Sequence, residues 1–132
     1  MKAALFLVLL IAFISQASIV FSQQKTETSP SKKPMITFIE LGSVNCIPCK
    51  KMQPVMKAIE QKYGEKVKVI FYDVWTEEQQ PYAQKYRIRL IPTQVFLDEN
   101  GKEFFRHEGF FPESEIHKIF KERGLTLTKT GN

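Results

Sequence analysis

The chain of 132 residues holds only two cysteines, Cys46 and Cys49, which excludes a miniprotein held together by a disulfide framework. It holds only two histidines, His107 and His117, and neither has the short pair spacing of zinc ligands, so no metal centre is expected. It lacks a cluster of one charge. The net charge is +5, and residues 23–132 carry 18 basic and 14 acidic side chains, a mild excess that permits weak attraction to anionic surfaces. A nucleic-acid footprint needs clustered Lys and Arg, so no nucleic-acid partner is expected. No internal repeat is present. With 43% hydrophobic and 25% charged residues the composition excludes disorder and fibrous repeats, and the length suits one domain.

The apolar residues are unevenly spread. Lys2 is followed by an unbroken apolar run over 3–14, then by small and polar residues at 15–18. A basic start, an apolar middle and a small-residue exit read as a secretory signal peptide over 1–22, cleaved after Ala17 or Ser22. The rival reading is an uncleaved anchor, since 3–21 is just long enough to span a bilayer. No cysteine lies near the cleavage region, so no lipid anchor is expected, and the last four residues are not an ER-retention signal. Either way the domain leaves the cytoplasm. Residues 23–34 (QQKTETSPSKKP) read as a flexible polar tether, 35–126 as the folded domain and 127–132 as a tail.

Within the domain, 35–41 (MITFIEL) is almost continuously apolar and predicts a strand covered on both faces, with Glu40 the exception. Met52, Val55, Met56, Ile59 and Tyr63 recur at helical spacing and predict a helix over 46–63, capped by Asn45, stopped by Gly64 and kinked by Pro54. Residues 67–74 (VKVIFYDV) predict a second strand. Thr76 with Gln79 offers a capping box for a short helix running to Tyr86, its start delayed by Pro81. Asn100–Gly101 between 93–97 and 103–107 is a hairpin signal. Pro112, a stripe of Ile116, Ile119 and Phe120, and Gly124 mark a last helix. The order β-α-β-α-β-β-α implies an α/β fold with a four-stranded mixed sheet and helices on both faces.

Cys46-Ile47-Pro48-Cys49 lies where a strand passes into a helix. A thiolate on Cys46 would meet the unpaired N–H groups of the helix start, which favour negative charge, and Lys50 and Lys51 add positive potential. Cys49, one turn in, is expected to be less exposed and placed to resolve a mixed disulfide formed through Cys46. Two other readings stand beside this. A purely structural disulfide would close too short a loop to stabilise much. A zinc site would have to recruit the two distant histidines. Covalent haem is excluded because Lys50, not His, follows the second cysteine.

Residues 40–50 (ELGSVNCIPCK), Pro54, 86–93 (YRIRLIPT), Asn100–Gly101 and Gly109 together resemble the thioredoxin family over roughly 35–125. Only the polar tether precedes 35, so the resemblance is to a minimal version of that fold. It implies that Cys46 is the nucleophile and Cys49 the resolving thiol. It implies that Glu40 is the family's buried acid, exchanging a proton with Cys49. A carboxyl in an apolar strand is costly when charged, which supports that role; the alternative is a strand-end Glu reaching solvent. Pro92 matches the family's cis-proline, which presents the backbone of Ile91 to a substrate segment. Gly109 matches a glycine of the neighbouring substrate loop. Phe110 or Phe111 lines the substrate groove, or both pack inside; Phe110 is the candidate. Phe104 and Phe105 read as core. Ile47 and Pro48 complete the face shown to partners. Asn45 and Ile47 stand where the family usually has Trp and Gly, so that face differs.

Pro48 and Ile91 resemble the reducing members of the family. The implied activity is an exported, periplasmic disulfide reductase, monomeric and without a cofactor. Its expected partners are exported proteins with disulfides, apocytochrome c among them, and a membrane electron-transfer protein as reductant. Competing readings are a thiol oxidase or isomerase on the same residues, and a thiol or copper chaperone that holds without turnover.

Overall fold

A computed structural model describes residues 33–127. The expected leader over 1–22, nearly all of the tether and nearly all of the tail lie outside the described residues. Among the described residues no helix is long and apolar enough to cross a membrane.

Seven elements follow in chain order: β1 (Ile36–Gly42), α1 (Ile47–Tyr63), β2 (Val67–Asp73), α2 (Pro81–Lys85), β3 (Thr93–Asp98), β4 (Glu103–Glu108) and α3 (Glu113–Glu122). The sheet order is β2-β1-β3-β4, with β1 parallel to β2 and antiparallel to β3, and β3 antiparallel to β4. The apolar run in β1 is explained by this order. β1 is central, has a strand on each side, and is covered above and below.

Alternation along β1 divides the core in two. Ile36 and Phe38 face α1 and α3, where they meet Met52, Met56, Ile59, Phe96, Phe111, Ile116 and Phe120. Ile39 and Leu41 face the other way, toward Val95 and the partly buried Tyr72, Tyr82 and Tyr86 around α2. Phe38 and Phe96 are fully buried and stack with ring centroids 4.7 Å apart. Each such ring contributes roughly 1.5–3 kcal/mol by leaving water. On the second face Tyr72 and Tyr82 stack at 3.6 Å. Phe104 and Phe105 are partly buried and packed against the first cluster.

Local details differ from the sequence expectation in two places, the cap of α1 and the capping box. The cap of α1 is Cys46, not Asn45: the chain turns helical one residue later, and Cys46 Sγ accepts a hydrogen bond from the Cys49 amide at 3.4 Å. α1 continues across Pro54 as one helix and ends at Gly64, whose φ of +53° suits glycine. The capping box forms by half. Thr76 Oγ1 accepts from Gln79 N at 3.3 Å, but Gln79 Oε1 accepts from Asp73 N at 2.7 Å instead of reaching back to Thr76. Gln79 therefore staples the end of β2, and α2 begins only at Pro81.

Candidate functional site

The topology gathers four segments at one end of the sheet. β1 and β2 run in parallel and finish side by side at Gly42 and Asp73. β3 begins beside them, with Thr93 opposite Leu41, and β4 finishes there, with Glu108 opposite Thr93. The Cys46 loop, Trp75, Pro92 and Gly109 follow or precede those strand ends and so share that end.

Cys46 and Cys49 are joined as a disulfide with Cα atoms 5.2 Å apart. Cys46 keeps 8% of its surface exposed and Cys49 none. Pro48 lies in the first turn of α1, where its missing N–H leaves no helical bond unmade. Ile47 and Val44 stand out into solvent at 72% and 55% exposure. Asp73 holds the loop that carries them. One carboxylate oxygen accepts from Val44 N and the other from Trp75 N, both at 3.1 Å. Burial pushes the Asp73 carboxyl up, but these amides and Ser43 outweigh it, leaving the group below the ordinary aspartate value.

Glu40 is fully buried, which removes the reading of a strand-end Glu in solvent. It shares a face of β1 with Phe38 and Gly42, and Gly42 lies directly against Cys49 Sγ. Burial raises the Glu40 carboxyl to about 8, opposed by a hydrogen bond from Gln94. Gln94 Nε2 donates to Glu40 Oε2 at 3.0 Å and to the Gly109 carbonyl at 3.0 Å. At neutral pH the acid is therefore mostly protonated, held inside an apolar core one same-face position from the residue under Cys49.

The Ile91–Pro92 bond is cis. Pro92 is buried, and its carbonyl accepts from Gly109 N at 2.7 Å, tying the two loops together. Thr93 Oγ1 donates to the Leu90 carbonyl at 2.7 Å. The Ile91 side chain is partly buried and packs against the second cluster. Gly109 has a φ of +94°, a conformation suited to glycine. The two phenylalanines after it separate. Phe110 is 43% exposed, whereas Phe111 is buried against Met52, whose Sδ accepts from its amide at 3.3 Å, and stacks on His107.

Three contributors escaped the sequence reading. Gln94 was hidden because a polar residue in a strand reads as solvent-facing. Asp73 and Gly42 had the faint signals of a strand-end acid and a glycine closing an apolar run. Among the described residues no three His, Cys, Asp or Glu side chains gather as a metal-binding set.

A cysteine pair joined as a disulfide at the head of a helix, with a buried acid on the β1 face beneath that helix and a cis-proline at the same end of the sheet, defines a protein of thioredoxin fold whose cysteines can undergo dithiol–disulfide exchange. Residues 21–124 match the family described as "Thioredoxin-like domain", and the chain belongs to that family. It is 31% identical to thioredoxin Y, chloroplastic, of Oryza sativa subsp. japonica over 86 residues, which are 65% of this chain and 48% of that one. It is 34% identical to thioredoxin of Bacillus subtilis over 74 residues, 56% of this chain and 68% of the relative. Among solved structures, the thioredoxin of Malassezia sympodialis superposes with a TM-score of 0.59 at 28% identity, covering 72% of this chain and 80% of that one. A mutant thioredoxin from Halobacterium salinarum NRC-1 shares the fold at a TM-score of 0.60 and 22% identity, with the same coverage of both chains. The chain thus spans about half the length of the rice relative.

Proposed function

We propose that this protein is an extracytoplasmic thiol–disulfide oxidoreductase that reduces disulfides in exported proteins. The observation that carries the reading is the seating of the cysteine pair: Cys46 caps α1 with a small part of its surface open, and Cys49 lies wholly buried over the face of β1 that bears Glu40. In the reduced protein the Cys46 thiolate attacks one sulfur of a client disulfide. A bond forms between Cys46 and that sulfur, and the client's other sulfur leaves as a thiolate and takes up a proton. In the fraction of molecules whose Glu40 is ionised, that carboxylate takes the proton of Cys49, and the Cys49 thiolate attacks Cys46 Sγ. The Cys46–Cys49 disulfide forms and the client's second sulfur leaves, so the client gains two electrons and this protein is left oxidised. A membrane electron-transfer protein returns the two electrons.

Several features favour protein clients. Five of the seven exposed large apolar side chains among the described residues, Val44, Ile47, Trp75, Leu90 and Phe110, stand at the end of the sheet that bears Cys46. Apolar surface concentrated there suits an extended polypeptide laid across the disulfide. The apolar leader favours export to the periplasm, with the protein soluble after cleavage or held by an anchor; exported proteins such as apocytochrome c are the proposed clients, and the proposed acting form is a monomer. Pro48 and Ile91 favour reduction over oxidation.

The deciding experiment equilibrates the protein against dithiothreitol or glutathione buffers and reads the potential of the Cys46–Cys49 pair. A value near about −270 mV is expected for a reductant. A value near about −120 mV would make it an oxidant that donates its disulfide.

A further inference from the structure

We propose that Gln94 is a positioning residue that couples the buried carboxyl of Glu40 to the partner-facing loop at Gly109. This rests on the reading of Glu40 as the proton acceptor of the cysteine pair and extends it to a residue outside the reacting groups.

The register carries the argument. Phe71, Glu40, Gln94 and His107 stand opposite one another on β2, β1, β3 and β4, forming one row across the sheet on the α1 face. Gln94 is fully buried in that row, where an apolar side chain would cost nothing to desolvate. Its amide has two N–H donors, and both are committed: one to Glu40 Oε2, the other to the Gly109 carbonyl, each at 3.0 Å. Two acceptors facing one end of the amide fix its orientation. The same glycine binds the proline loop through its own N–H, at 2.7 Å from the Pro92 carbonyl. One peptide segment is therefore bonded on one side to the buried acid, through Gln94, and on the other to the segment that meets a client.

The two bonds share a donor group, so they are not independent. A hydrogen bond to a carboxylate is stronger than one to a neutral carboxyl, and Gln94 thus grips Glu40 harder once the acid has lost its proton. A client that shifts the Gly109 loop changes how well Gln94 reaches Glu40. By linkage, the protonation of Glu40 changes how firmly the loop is held. Few other titratable or charged groups are placed to do this. α1 presents Cys49 to the row, with Lys57 and Glu60 outside it along the groove edged by Val69 and Phe71. β2 presents Phe71. β4 presents His107, whose Nε2 lies 3.2 Å from the Phe110 carbonyl. α3 directs Glu113 and His117 to Lys62 and Tyr63, at the far end of α1.

The test compares the whole chain with Gln94→Met and Gln94→Leu, both free of donors and close in volume. The first readout is the titration midpoint of Glu40 in the oxidised protein, followed by NMR of its labelled side-chain carboxyl. Both variants are expected to move the midpoint upward by about one pH unit, because the bond they lose favours the charged form. The second readout is dithiothreitol-driven reduction of insulin. KM for insulin is expected to rise about fivefold. Folded variants with an unmoved midpoint overturn the inference, since a filler role would change stability alone. A moved midpoint with an unchanged KM also overturns it, by cutting the loop from the acid. If the parent fails to reduce insulin, the proposed function falls, and the midpoint, read without turnover, still decides whether Gln94 governs Glu40.

Discussion

Gly42 and Cys49 touch so closely that a Cβ on the glycine would sit 3.1 Å from the cysteine sulfur and 3.2 Å from its Cβ, with the Phe71 ring at 3.4 Å. The backbone of β1 is the floor on which the resolving cysteine rests. Gly42→Ala forces Cys49 and the start of the helix that carries it to give way by a few tenths of an ångström, while the Phe71 ring stays at ordinary contact distance. The variant is expected to unfold at lower denaturant, by about 1–3 kcal/mol in the oxidised state, the usual range for overpacking a tight core. Chemical denaturation read by circular dichroism checks this, and a variant as stable as the parent would show that the helix start yields freely.

Glu40 gives stability a definite pH dependence. In the folded protein its carboxyl titrates near 8, against 4.5 for an ordinary glutamate, because burial disfavours the charge. Between these values the unfolded chain has released a proton that the folded chain keeps. The folded state therefore binds more protons there, and stability falls as pH rises through that window. Below it the penalty is absent, and above it the penalty is complete, on the order of a few kcal/mol. Glu40→Gln is expected to flatten the curve and to stabilise the protein more at pH 8 than at pH 5. Denaturant midpoints of the oxidised forms across that range test it, and identical slopes for parent and variant would refute the burial argument.

The cysteines are not equivalent. Cys49→Ser is expected to stall as a covalent adduct between Cys46 and a client, with multiple turnover nearly abolished. Cys46→Ser is expected to give no adduct, since Cys49 is wholly buried. Intact-mass spectrometry after mixing with an oxidised client separates the two. Turnover by Cys49→Ser at the parent rate would remove the resolving role.

Trp75 and Phe38 provide opposite controls. Trp75 is 62% exposed, so Trp75→Ala is expected to change stability by less than about 0.5 kcal/mol while raising KM for a protein client. Phe38, stacked on Phe96 at the centre of the core, is expected to cost about 3–5 kcal/mol on change to Ala. Thermal unfolding beside insulin-reduction kinetics tests both. A stability loss at Trp75 equal to that at Phe38 would mean that the tryptophan is packed and not presented.

The features legible in the sequence are those that local chemistry dictates. The apolar run of β1, the helical stripe from Met52 to Tyr63 and the Asn100–Gly101 hairpin each carry their own signal within a few residues. The cysteine pair is legible for the same reason. What escaped depends on partners distant along the chain. Gln94 meets Glu40 across 54 positions, and nothing around Gln94 foretells a buried acid beside it. Asp73 holds Val44 across 29 positions. Choosing between Phe110 and Phe111 requires the turn at Gly109, which decides which ring swings inward. The half-formed box at Thr76 failed because Gln79 had a stronger rival in the β2 amide at Asp73.

The described chain begins and ends on the side of the molecule away from its disulfide. Met35 and Ile36, where β1 starts, share a surface hollow with Arg123 and Leu125, just beyond α3. The seven residues of β1, about 3.3 Å each, separate that hollow from the loop leading to Cys46. The described chain therefore enters and leaves its domain about 23 Å along β1 from the sulfur pair, and a label placed at Met35 or Leu125 reports on folding without touching the site.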